Sequence, residues 1–290
     1  MQAYLLTLVL LLCSTIAFNL IVDPFDVYRI VEINGINNIK TGPGNHVRMA
    51  KAGSVRVFKP RAVILGDSRA EYGIDPEHPG WKTGPVYNLG ISGANVYEIV
   101  RYFQHAHGIQ PLKKALFILD FKQFNAYREN AGDFTENRLS VTLDEQTNTY
   151  YYLSDVISTA LSTKALTRTI DTIWRSAVNK PTTYLANGQR DWHNDRIFKT
   201  VMEKYGSYSI IFSIEEESLF STRSKKRVPI YRESFFNQAS RYNAFDSFRR
   251  LVRIAIRDKV DFRFVIVTSN ALYIECYRKM GNWFLWEERK

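Results

Sequence analysis

The sequence predicts a three-layer α/β/α domain built on an open parallel sheet and preceded by one transmembrane helix. Three observations predict it. Short apolar runs end in turn residues, they alternate with segments of helical periodicity, and no hairpin signature joins consecutive runs. In addition, an uncharged stretch of about twenty residues opens the chain.

That stretch runs from Ala3 to Val22 (AYLLTLVLLLCSTIAFNLIV) and as a helix matches the thickness of a hydrocarbon core. Thr7, Ser14, Thr15 and Asn19 are too few to make the polar side expected of a buried core helix. A cleaved signal peptide is the nearer alternative. Against it, the run is longer than a usual signal core, no Lys or Arg precedes it, and no small-x-small site stands cleanly before Asp23-Pro24. Residues 1–23 are therefore expected to form an anchor in contact with membrane lipid. The basic residues Arg29, Lys40, Arg48, Lys51 and Arg56 follow the run, and the positive-inside rule would keep the domain cytoplasmic. Closest to the membrane, however, Asp23, Asp26 and Glu32 outweigh Arg29 and offset part of the basic excess, so this charge signal is weak.

Residues 24–59 contain Asn34-Gly35 and Gly42-Pro43-Gly44 and read as an irregular connector, with the α/β domain spanning 60–290. The first strand is Arg61–Gly66 (RAVILG), the second Val86–Leu89, the third Lys114–Leu119 and the fourth Asp261–Thr268. A helix from Asn95 to His107 puts Val96, Ile99, Val100 and Phe103 on one face. Another, before the fourth strand, spaces Phe245, Phe248, Val252 and Ala255 by three to four residues. Such alternation implies a sheet covered on both faces. A long insertion, about 127–235, holds a helical stretch (Leu161 to Val178), a turn at Asn187-Gly188 and the basic loop Ser221–Arg227. It is expected to add a partly regular layer and to cap the active edge of the sheet. Tyr273 to Lys290 reads as a helix broken at Gly281-Asn282, with no strand after it, so the domain is expected to be incomplete at its C-terminus.

Composition narrows the function classes. Hydrophobic residues make up 45% of the 290, enough for a packed core, and the formal net charge of +10 permits anionic partners without choosing among them. Cys13 and Cys276 lie in unlike settings and make no disulfide framework. No zinc pattern is present. His105 and His107 are two apart and diverge on a helix, and Asp75, Glu77 and His78 form a solvated turn, so no metal is expected. Neither a GxxxxGK[ST] loop nor a dinucleotide glycine signature occurs, and no cofactor is expected. Lys225-Lys-Arg227 is a short basic loop of the solvated kind, and nucleic acid is not an expected partner.

Chemistry concentrates at three strand ends. Gly66-Asp67-Ser68 leaves the first strand where open α/β sheets bind ligands. The plain reading is that Asp67 or Ser68 caps the next helix. Three features favour a site: the glycines bracketing Gly66-Asp-Ser-Arg-Ala-Glu-Tyr-Gly73, the block Asn88-Leu-Gly90-Ile-Ser-Gly93, and Asp120-Phe-Lys-Gln-Phe-Asn125 after the third strand. These blocks resemble those of the SGNH (GDSL-type) hydrolases, in which a serine nucleophile, main-chain amides and an asparagine surround a reacting oxygen. The resemblance implies Ser68 as nucleophile, Gly90 as a main-chain donor and Asn125 as a side-chain donor. The third block departs from the family's Gly-x-Asn-Asp, and Asp120 is the alternative polar group there.

The family's late Asp-x-x-His pair is missing. The histidines are His46, His78, His105, His107 and His193, none follows the fourth strand, and Thr268-Ser-Asn270 offers no base. The pair is expected beyond Lys290, or else the chain has lost its base. Either way the 290-residue chain is expected to have little esterase activity. With its apolar N-terminus and Val22-Asp-Pro-Phe25, the sequence is similar to bacterial membrane-anchored SGNH-like proteins and, more distantly, to acetyl-transfer and deacetylation domains of exopolysaccharide systems. This implies a single-pass protein of the bacterial inner membrane with a periplasmic domain. It would act as an acyl-ester hydrolase or O-acyltransferase on cell-envelope polysaccharide. Trp81, Tyr87, Tyr97 and Trp192 are candidates to stack on sugar rings, although core packing is the commoner role. The competing reading is a non-catalytic scaffold with an envelope protein partner.

Overall fold

The computed structural model describes residues 1–41, 44, 46–207, 210, 234–267, 275 and 278. Helix α1 (Gln2–Val22) is followed by α2 (Val47–Phe58), β1 (Ala62–Gly66), α3 (Ser68–Gly73), β2 (Val86–Gly90), α4 (Val96–Ile109) and β3 (Lys114–Leu119). After β3 come 3-10 turns at Phe121–Phe124 and Glu136–Arg138, then α5 (Thr149–Ala160), α6 (Thr163–Ala177) and α7 (Arg196–Tyr205). A two-stranded ribbon of β4 (Phe236–Asn237) and β5 (Tyr242–Asn243) leads into α8 (Ala244–Arg257) and β6 (Asp261–Ile266).

The main sheet has the order β2-β1-β3-β6 and every pairing is parallel, with Gly66 opposite Gly90 and Leu119 opposite Ile266. This is a flavodoxin-like arrangement, a three-layer α/β/α fold whose order reverses between β1 and β3. One face carries the larger core. There Val63, Leu65, Leu89 and Phe117 pack with residues of α2, α4 and α8 such as Val55, Phe103 and Leu251. The other face is thinner. Ile64, Val86 and Ile118 pack under Ala70 of α3 and against Ile74 and Trp81. Both faces were expected to be covered. Among the described residues the second face has only this thin cover, and on the edge strand β6 Phe264 and Ile266 are each 55% exposed.

The connector is not irregular throughout, because α2 lies inside it and belongs to the core. Its sequence hides the fact. Arg48 and Lys51 look like solvent-facing residues, yet they are 5% and 2% exposed. Arg48 is compensated by Glu98 at 2.7 and 2.8 Å and by Asp133 at 3.2 Å. Such pairing is what allows a guanidinium to leave water.

The insertion divides in two. Residues 182–195 wrap the β2 edge, with Asn88 N–H donating to Asn187 O (2.8 Å) and Arg190 N–H to Glu71 O (3.1 Å). Helices α5 and α6 instead pack against α1, so this part does not cap the sheet edge. The basic loop 221–227 and the C-terminal helical segment expected from Tyr273 lie outside the described residues, apart from Glu275 and Arg278.

Candidate active site

The strand order reverses between β1 and β3, and sheets of this kind take ligands at the carboxyl ends of the strands beside such a switch point. Gly66 ends β1 with φ +146°, and a Cβ there would lie 2.8 Å from both Ala70 Cβ and Ile118 O, so only glycine makes this turn. The chain then enters α3. Asp67 is the cap residue, its carboxylate accepting from Arg69 N–H at 3.0 Å. With Asp67 holding that position, Ser68 occupies the first helical position, half-buried, and its hydroxyl has no hydrogen-bond partner among the described residues. The capping reading therefore applies to Asp67 and leaves Ser68 Oγ available.

The buried Asp120 stands at the end of β3. Arg69 Nη1 approaches Asp120 Oδ2 to 2.8 Å, an ion contact without a well-directed hydrogen bond. Burial raises the pKa of Asp67; the Arg69 N–H bond opposes this, and the nearby Asp120 carboxylate adds to it. Of the two polar groups considered after β3, Asp120 is thus the one tied to the Ser68 turn.

Gly90 and Asn125 are engaged differently from the expectation. Gly90 is buried and its N–H donates to Asn88 Oδ1 at 2.8 Å. Asn88 Nδ2 in turn donates to Ala70 O (2.8 Å) and Ile74 O (3.0 Å), stitching β2 to α3. A Cβ on Gly90 would come within 2.4 Å of Glu71 N. The glycine is therefore required by helix packing, and its amide is already occupied. Beyond this strand end the main-chain amides of Ser92 and Gly93 make no hydrogen bond among the described residues, and Gly93 is exposed with φ +75°. Asn125 is half-buried; its Oδ1 accepts from Tyr127 N–H (3.0 Å) in a local turn, while its Nδ2 has no partner among the described residues.

Beside the β2 end lies a buried polar cluster that the sequence reading did not single out. Lys51 Nζ donates to Asn88 O (3.1 Å) and Gly90 O and lies 3.4 Å from Glu71 Oε1. Glu71, fully buried, also accepts from the hydroxyls of Ser92 (2.5 Å) and Tyr184 (2.9 Å), with Arg190 Nη1 at 3.8 Å. Arg190 continues to Asp195 at 2.5 and 2.9 Å, and Tyr72 donates to the same carboxylate at 3.1 Å. Burial pulls the Lys51 ammonium down to about 8, against the attraction of Glu71. Glu71 lies within the first glycine-bracketed block, and that position was the one available hint.

None of the histidines hydrogen bonds Ser68 among the described residues. His105 is buried between Ala52 O and Ser140 N–H (2.8 Å each), and burial lowers its pKa to about 3. His107 pairs with Asp258 (2.9 Å), His78 accepts from Gly80 N–H (3.0 Å), His46 meets Phe25 edge-on and His193 lies against Trp192. Of the aromatics, Tyr87 is buried in the core, whereas Trp81, Tyr97 and Trp192 are half-buried. No group of three or more His, Cys, Asp or Glu side chains suited to a metal occurs among the described residues. Compared with family models, curated proteins and solved structures, the chain finds no match.

Proposed function

We propose that the protein is a membrane-anchored, serine-centred acyl-ester hydrolase or O-acyltransferase with Ser68 as its nucleophile. One observation carries this reading. Ser68 presents a hydroxyl free of hydrogen bonds at the switch point of a parallel sheet, because Asp67 has taken over the capping role. Donors for a developing oxyanion would come from the free N–H of Gly93 in place of Gly90, and from Asn125 Nδ2. Among the described residues no side chain is hydrogen-bonded to Ser68 Oγ as a base, so turnover would be slow. The resemblance to SGNH hydrolases, together with α1, points to cell-envelope polysaccharide as substrate and to a periplasmic domain.

The test is hydrolysis of 4-nitrophenyl acetate by the full chain, with and without added imidazole as an external base. Slow turnover that imidazole accelerates, and that Ser68→Ala abolishes, supports the reading. Imidazole-dependent hydrolysis identical in wild type and Ser68→Ala overturns it. A specific observation favours a second reading, a non-catalytic scaffold with an envelope partner: the Gly90 amide is closed by Asn88. That reading gains if Ser68 is inert.

A further inference from the structure

Helix α6 is built inside out for a protein in water. The residues it buries are small or polar, namely Ala165, Thr169, Thr172 and Ser176, whereas Leu166, Ile170 and Trp174 are 42%, 62% and 55% exposed. These three recur every four residues and form one apolar stripe. Its partner α5 exposes Leu153 and Ile157 to a similar extent. An exposed contiguous apolar face beside a buried polar one signals contact with something other than water.

The position of the hairpin says what that is. Its elbow is locked to the end of α1, with Asn19 Nδ2 donating to Ala160 O (2.8 Å) and Thr169 Oγ1 donating to Asn19 Oδ1 (2.7 Å). The 21-residue α1 is only 11% buried over its most apolar window and long enough to cross a membrane. Asn19 lies three residues before Val22, about 4–5 Å inside the end of α1. Amphipathic helices seated in a bilayer interface lie about 5–10 Å deep, at this same level. A second segment also meets the end of α1. Asn37 Nδ2 donates to Ile21 O (2.8 Å), and Ile30, Ile33 and Ile36 nearby are 65%, 38% and 41% exposed. Basic groups border the stripe as well. Lys180 lies over the Trp174 ring, and Lys164 is exposed at the start of α6. Trp and Lys at such a boundary place an aromatic ring among lipid headgroups and a cation beside anionic ones.

We propose that α5, α6 and residues 30–36 form a collar seated in the headgroup layer of the bilayer that α1 crosses, holding the sheet domain at a fixed height and tilt. The inference rests on α1 being a membrane span and is independent of the chemistry at Ser68.

The test uses the full chain reconstituted in phosphatidylethanolamine/phosphatidylglycerol nanodiscs at one chain per disc, with acyl chains brominated near the headgroup. Tryptophan emission is compared between wild type and Trp174→Phe, an exposed position whose replacement leaves the fold intact. The difference signal, belonging to Trp174, should fall about twofold in brominated discs and resist aqueous acrylamide, as expected for a ring at interfacial depth. A difference signal that bromine leaves unchanged overturns the collar, whether Trp174 is open to acrylamide or covered by a second copy of the chain. A nitroxide on Cys13, in a Cys276→Ser background, reports separately whether α1 itself is in lipid. Failure of the collar is thereby distinguished from failure of the span.

Discussion

The buried Lys51–Glu71 pair yields a pH signature with a definite sign. Lys51 is 2% exposed and its ammonium is held near 8, whereas in the unfolded chain a lysine keeps its proton to about 10.4. Between these values the unfolded state binds one more proton than the folded state, so stability rises with pH. Across pH 8 to 10 the gain is about 2–3 kcal/mol. Above about pH 10 the trend reverses. Burial pushes the phenols of Tyr87, Tyr102 and Tyr184 upward, so the unfolded state ionises first. Lys51→Met should abolish most of the rise. At pH 7 it should change stability by less than the lost pH dependence, because Met removes the burial cost of the ammonium together with its bonds to Asn88 O and Gly90 O, while Glu71 keeps two hydroxyl donors and Arg190. The assay is urea unfolding followed by tryptophan fluorescence in non-ionic detergent, at pH 7, 8, 9 and 10. In a cycle with Glu71→Gln the double variant should lose less than the sum of the singles, with a coupling of at least about 1 kcal/mol. An identical pH slope in wild type and Lys51→Met would refute the reasoning.

Acid should weaken the fold through His105. Its unfolded pKa near 6.5 exceeds the folded value of about 3, so stability falls as pH drops below 6.5. His105→Gln should flatten that limb in the same unfolding assay. Asn88→Ala should cost about 3 kcal/mol, because it strands the Gly90 N–H and removes the donor to Ala70 O and Ile74 O. Gly90→Ala forces a Cβ against the α3 backbone and should lower the denaturation midpoint by an amount corresponding to about 1–3 kcal/mol. Asp67→Ala should cost about 1 kcal/mol as a lost cap.

Much of the fold was legible because its signals are local. β3 runs from Lys114 to Leu119 as its apolar run indicates, and α4 and α8 follow their hydrophobic spacing within a few residues. Helix α2 was not legible, since the partners that let its Arg48 and Lys51 be buried, among them Glu98, Asp133, Glu71 and the carbonyls of Asn88 and Gly90, are distant in sequence. Helix α6 was visible as a helix, but its orientation was not. Periodicity locates an apolar stripe without saying whether core or lipid lies against it. At the candidate site, the place of Ser68 just past a strand end was legible from the apolar run before it. Gly90 could not be told from Gly93, because the difference lies in the side chain of Asn88, which occupies one amide and leaves the other open.

The most direct measurement of the central claim is covalent labelling of the full chain in detergent by a fluorophosphonate, followed by peptide mass spectrometry. A serine aligned for acyl chemistry should form the adduct at Ser68, slowly and faster with imidazole, with Ser92 and the other hydroxyls unmodified. An adduct spread evenly over surface serines, or none at Ser68 after prolonged exposure, would contradict it.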